Sequence, residues 1–267
     1  VNFDVNGTIG ITANLTTGFA TDGGGSTDTL VSIENLHGTE FNDTLIGDAA
    51  DNVLDGREGN NLLVGSAGND TLKGRNAGET GDFNSVDYSA GTTALTVNLG
   101  VTNSSGTVTS SEFGTDTLQY IDKVYGGSGD DVFTKGAFHQ GNYGSFVEFE
   151  GMAGNDILTD GSRIGYARSP TGVTVNLETG IALDGFGGTD TISGFYQIRG
   201  SAFDDVLTGP NGTDFERFRA LAGSDVIDGG GGTSDEVDYL NSSTGVSVNL
   251  STGLAWDGMG GTDTLTN

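Results

Sequence analysis

Asp43, Asn52, Asn61 and Asp70 stand nine residues apart, and Leu45, Leu54, Leu63 and Leu72 follow two places behind them at the same interval. Residues 38–73 divide without a gap into GTEFNDTLI, GDAADNVLD, GREGNNLLV and GSAGNDTLK, each with a glycine first, an acid or amide sixth and a leucine eighth. A single Gly-x-Asp is ordinary turn chemistry. Four in one frame set side-chain oxygens at a fixed pitch beside glycine turns whose carbonyls also face inward. That is the material of an all-oxygen cage for a hard cation with six to eight ligands, and calcium is the cation it suits. The frame returns at residues 126–134, 151–159, 185–193, 200–208 and 258–266. The candidate ligands are Asp28, Asp43, Asn52, Asn61, Asp70, Asp116, Asp131, Asp156, Asp190, Asp205, Asp225 and Asp263. Asn52 and Asn61 bring no charge, so sites built on them bind more weakly.

To stack these oxygens, each nonapeptide must supply a tight turn and then a three-residue strand with its eighth side chain pointing inward. Two nonapeptides close one turn of a flattened helix. The loop of Asp43 then lies over that of Asn61, and the loop of Asn52 over that of Asp70. A longer repeat overlies the short one. Ile11 to Leu15, Leu95 to Leu99, Val173 to Leu177 and Val246 to Leu250 are versions of one segment, and each leads to a Thr-Asp-Thr box beginning at Thr27, Thr115, Thr189 or Thr262. A six-residue half-coil follows the first three boxes, at 32–37, 120–125 and 194–199. The expected units are 1–94, 95–172 and 173–245, with 246–267 opening a fourth, wound as one continuous solenoid. Insertions at 135–146 and 209–214 interrupt the frame, which resumes so that Phe149 and Phe218 take the core slot of Leu63. Tyr88, Tyr166 and Tyr239 recur at matching places and read as packing. Asn14, Asn98, Asn176 and Asn249 read as turn bonds or an amide ladder.

Composition agrees with a thin core repeated many times. Glycine supplies 48 of 267 residues and proline only 2, without the triplet period of collagen. Thirty-seven acids against 10 basic residues leave a formal charge of −27, a self-repulsion that opposes compaction until cations neutralise it. Lysine and arginine are too scattered for a nucleic-acid surface. Cysteine is absent, which excludes disulfides and thiolate metal sites. No apolar run is long enough to span a membrane, and no signal-peptide pattern opens the chain. His37 and His139 are the only histidines, neither H-E-x-x-H nor G-x-S-x-G occurs, and no pair of acids is set apart, so the chain reads as no enzyme. A carbohydrate-binding reading rests on the aromatic insertion at 135–146, while Arg199, Arg217 and Arg219, the one concentration of positive charge, could instead pair with neighbouring acids.

The nonapeptides at 65–73, 126–134, 151–159 and 185–193 resemble the RTX, or haemolysin-type calcium-binding, repeats, whose consensus is G-G-x-G-x-D-x-U-x. The valine-rich units with VNLxTG and GGTDTL are similar to those of very large RTX surface proteins. The resemblance implies an all-β fold, a right-handed parallel β-roll or β-helix, with several calcium ions in its turns. It implies export through a type I system, with folding outside the cell. The function expected from it is a calcium-dependent structural segment of a secreted bacterial cell-surface protein, either an S-layer lattice or an adhesin stalk, self-associating end to end or in a lattice. The alternative is a module that binds a surface glycan or polysaccharide beside a secreted RTX enzyme.

Overall fold

The computed structural model describes residues 9–76, 81–102, 105–136 and 146–267. Among them every regular element is a strand, most of three residues. Such strands persist only because each buries one side chain inward and shares its backbone hydrogen bonds with a coil on either side. The chain forms two compact units, Val1–Val147 and Glu148–Asn267, each an all-β parallel roll.

In the first unit one face runs in parallel through Thr12–Asn14, Thr44–Ile46, Leu62–Val64, Ser85–Asp87 and Lys123–Tyr125. Its inward column is Ala13, Leu45, Leu63, Val86 and Val124, all buried. The other face runs through Asn35–His37, Val53–Asp55, Thr71–Lys73 and Gly114–Gln119, with Leu36, Leu54, Leu72 and Leu118 inward. The predicted stacking is therefore present: coils two nonapeptides apart lie side by side. In the second unit Glu148–Glu150, Arg163–Gly165, Gln197–Arg199, Arg217–Arg219 and Glu236–Val237 make one parallel face. Phe149 and Phe218 are fully buried in its inward column, as their place in the frame predicts.

The long-repeat segments do not wind as coils. Each folds back on itself as a three-stranded antiparallel meander: Thr12–Asn14, Phe19–Thr21 and Thr27–Thr29; Thr96–Thr102, Ser105–Ser110 and Gly114–Gln119; Thr174–Asn176, Ile181–Leu183 and Thr189–Ser193; Ser247–Asn249, Leu254–Trp256 and Thr262–Thr266. The parallel roll thus carries antiparallel inserts. The reversal has a local cause. Asn14 Oδ1 accepts the Thr17 N–H, Asn176 Oδ1 that of Thr179 and Asn249 Oδ1 that of Ser251, tightening a hairpin before the chain can cross to the other face. These asparagines make turn bonds and no ladder.

Where the fourth residue of a nonapeptide is glycine, the backbone takes angles that only glycine adopts freely. Gly68 has φ of +121° and Gly223 of +135°. A Cβ at Gly68 would also stand 2.7 Å from the Ala50 carbonyl oxygen of the coil below. At the second position Arg57, Ser66, Met152 and Leu221 take φ between 67° and 80°, where the consensus glycine would be unstrained. The left-handed backbone costs about 1 kcal/mol at each.

Candidate metal centre

Each turn delivers its sixth residue to the buried edge of the roll, and there these side chains join successive coils. Asp43 N–H donates to Asn61 Oδ1 at 3.0 Å, Asn61 N–H to Asn84 Oδ1 at 3.0 Å, and Asn84 N–H to Asp122 Oδ2 at 3.0 Å. Across the first unit Asn52 N–H donates to Asp70 Oδ1 at 2.7 Å and Asp70 N–H to Asp116 Oδ1 at 2.9 Å. In the second unit Asp205 N–H donates to Asp225 Oδ1 at 2.8 Å and Asp225 N–H to Asp263 Oδ1 at 3.2 Å. Asp156 N–H likewise donates to Asp190 Oδ1 at 3.1 Å. One oxygen of each side chain therefore fastens the neighbouring coil, and the remaining atom decides what else the site can hold.

The remaining atoms fall into three groups. Asn61 turns its Nδ2 to Gly74 O at 3.1 Å, Gly59 O at 3.1 Å and Asn84 Oδ1 at 3.0 Å. Asn52 Nδ2 donates to Glu34 O at 2.8 Å. Asp43, Asp131 and Asp205, which cap the N–H groups of Ile11, Leu95 and Val173, also accept the N–H of Thr39, Gly127 and Ser201. Both oxygens of these acids are hydrogen bonded. Asp70 and Asp225 differ: each is buried to 1% exposure, and its Oδ2 meets no hydrogen-bond donor. A Cβ at Gly65 would stand 2.5 Å from Asp70 Oδ2 and 3.3 Å from Asp116 Oδ2, so the glycine leaves room where two carboxylates converge.

Burial without a counter-charge pushes these acids up from 3.8, Asp70 to about 7 and Asp225 to about 8. Asp131, with its extra donor, is raised only to about 6. The Thr-Asp-Thr acids carry another donor. Tyr88 Oη donates to Asp116 Oδ2 at 2.7 Å, Tyr166 Oη to Asp190 Oδ2 at 3.0 Å and Tyr239 Oη to Asp263 Oδ2 at 2.9 Å. Burial pushes all three phenols above their usual range. Their recurrence, read from the sequence as packing, marked a hydrogen-bonded partner of the site. Asn84 and Asp122 extend a ladder from outside the nonapeptide frame, so the nine-residue interval could not find them. Asp28 differs from its counterparts in lying exposed. The insertion at 135–146, with His139, lies mostly outside the described residues. Arg199, Arg217 and Arg219 form ion pairs with Glu148, Glu236 and Asp238.

Among the described residues no three carboxylates or imidazoles form a metal cluster by themselves, so backbone carbonyls must complete any cage. The model of the RTX calcium-binding nonapeptide repeat matches in four copies over residues 36–74, 114–136 and 211–233. The chain carries RTX calcium-binding nonapeptide repeats over these segments. The matched RTX segments contain Asp43, Asn52, Asn61, Asp70, Asp116, Asp131 and Asp225, and the repeats of this class bind calcium. A comparison with curated proteins finds no match. Among the described residues no helix is long and apolar enough to cross a membrane.

Proposed function

We propose that this RTX chain is a calcium-dependent structural segment of a secreted bacterial cell-surface protein, an S-layer lattice or an adhesin stalk, that folds and assembles on extracellular calcium. The observation that supports it most is the buried Oδ2 of Asp70 and of Asp225, each without a donor in an acidic surrounding. A carboxylate there is stable only when protonated or paired with a cation. Asp70 with Asp116, and Asp225 with Asp263, are the acids that would hold calcium, joined by turn carbonyls. Asp156 with Asp190 repeats the arrangement. The fully hydrogen-bonded Asp43, Asp131 and Asp205 would add charge nearby. Asn52 and Asn61 carry amide hydrogens where a cation would otherwise sit, and Asp28 lies outside any such pair.

Bound calcium would supply positive charge between coils, offsetting part of the −27 and tying folding to the ion. At a concentration one hundred times its dissociation constant each site adds about 2.7 kcal/mol. A structural role rather than a catalytic one fits the environment of these acids, which are buried at coil junctions instead of lining a cleft.

Far-UV circular dichroism through a calcium titration, with magnesium as control, tests the calcium dependence. Strand content that rises with calcium alone is expected, and an unchanged β spectrum in chelator would refute the reading. Light scattering with calcium present tests assembly, which strictly monomeric protein at high concentration would contradict.

A further inference from the structure

Two aspartates that belong to no sixth position show the same deficit. Asp184 and Asp257 open the loops that lead into the last two Thr-Asp-Thr strands, Thr189–Ser193 and Thr262–Thr266. Both are 0% exposed. Asp184 Oδ1 accepts the N–H groups of Phe186, Gly187 and Gly188 at 2.8 to 2.9 Å. Asp257 Oδ1 accepts those of Met259, Gly260 and Gly261 at 2.8 to 3.0 Å. One oxygen thus shapes the loop. The other, Oδ2, is buried in both and meets no hydrogen-bond donor.

In both loops the second oxygen faces a backbone carbonyl across a glycine. The point a Cβ of Gly188 would take lies 2.7 Å from Asp184 Oδ2 and 1.8 Å from Gly154 O. That of Gly261 lies 3.1 Å from Asp257 Oδ2 and 1.6 Å from Gly223 O. Gly154 and Gly223 are the fourth residues of the nonapeptides beneath, with φ of +130° and +135°. Two acceptor oxygens that meet at one buried glycine, the carboxylate one without a donor, repel each other unless a cation or a proton compensates them. Thr171 Oγ1 and Thr244 Oγ1 pin the loops by donating to Gly185 O and Gly258 O at 2.7 and 2.6 Å. A cavity of about 480 Å³ opens beside the Asp184 loop, lined in part by Thr171, Gly172 and Phe186, with room for the waters that complete a calcium shell.

We propose that Asp184 and Asp257 each bind a hard divalent cation of the calcium class, with Gly154 O and Gly223 O as partners, at the junction between meander and parallel roll. These sites are additional to the acids of the sixth position. The second meander is an internal contrast: Ser110 Oγ caps Glu112 N–H and Phe113 N–H in the corresponding loop, so the cap survives there without a carboxylate and no ion is held. The first meander keeps the acid as Asp22, which is not fully buried. The cation would pin the loop onto the coil below, locking the register in which an antiparallel insert rejoins the roll.

Asp184→Asn and Asp257→Asn preserve the Oδ1 cap and replace Oδ2 with a donor. Calcium stoichiometry by equilibrium dialysis should fall by one ion in each variant and by two in the double variant, with circular dichroism unchanged in calcium. Trp256, the only tryptophan, adjoins Asp257 and gives a local reading. Terbium luminescence excited through tryptophan should fall in Asp257→Asn and be kept in Asp184→Asn. Unchanged stoichiometry in folded variants, or undiminished emission in Asp257→Asn, would overturn the proposal. If Asp257→Asn does not fold, Asp225→Asn is measured in its place: that variant should lose one ion and keep part of the emission, and complete loss would assign the whole signal to Asp225 and overturn the site. Because the stoichiometry of each Asn variant counts its own ion, these sites and the sixth-position sites can fail independently.

Discussion

The column of Asn61 and Asn84 in the first unit and that of Asp205, Asp225 and Asp263 in the second solve one problem with different atoms. Both bind the backbone N–H of one coil to a side-chain oxygen of the next. Asn61 then closes its own surroundings, because the amide hydrogens that accompany its oxygen reach Gly74 O and Gly59 O. Asp225 has a second acceptor instead and leaves it buried without a donor. An amide makes a coil junction self-sufficient, while a carboxylate makes it depend on a cation or a proton. Alternating the two gives a roll in which some turns stand by themselves and others keep a buried carboxylate oxygen without a donor.

Exchanging the two chemistries should give the largest effect. Asn61→Asp buries a charge among carbonyls that now lack a donor, and we expect a loss of about 3 kcal/mol in chelator, partly recovered with calcium; chemical denaturation with and without the ion measures it. Asp225→Asn should do the reverse, raising stability in chelator and removing one bound ion.

Acidity should separate the columns next. In chelator, Asp70 at about 7 and Asp225 at about 8, against 3.8 when unfolded, hold protons in the folded chain that the unfolded chain releases. Their stabilisation is therefore fully present below pH 3.8 and is lost as pH rises through 7 and 8. With calcium the ion replaces the proton, so apparent affinity should weaken as pH falls below that range. Melting temperatures across pH 4 to 9, with and without calcium, follow both trends, and a chelated protein that gains stability on alkalisation would break the comparison. The smallest effect is expected from Tyr239→Phe, which takes the donor from Asp263 Oδ2 and should cost about 1 kcal/mol. Calcium should shrink that loss, which parallel melts would detect.

Much of this was legible in the sequence because the nine-residue interval fixes both stacking and inward side chains. Leu45 over Leu63, Asn52 over Asp70, and Phe149 and Phe218 in the core all follow from counting. The meanders were not legible: a three-residue strand has no period long enough to separate a coil from a hairpin, and the turn bonds of Asn14 and Asn176 decide it locally. Counting also weighed the acids equally. Whether a carboxylate keeps an oxygen free depends on donors such as Thr39 and Ser201, four residues before it in the same turn, and Tyr239, which reaches it from another coil. Asp184 and Asp257 escaped notice because they precede the frame that they serve.

The central claim is that the acidic columns depend on cations and the amide column does not. Residue-resolved amide hydrogen exchange, measured with calcium and then in chelator under conditions that keep the chain folded, tests it most directly. Chelation should accelerate exchange at the N–H groups of Asp70, Asp205 and Asp225 by at least about tenfold, while those of Asp43 and Asn61, bonded to amide oxygens, change little. Equal acceleration at all five positions would contradict the account.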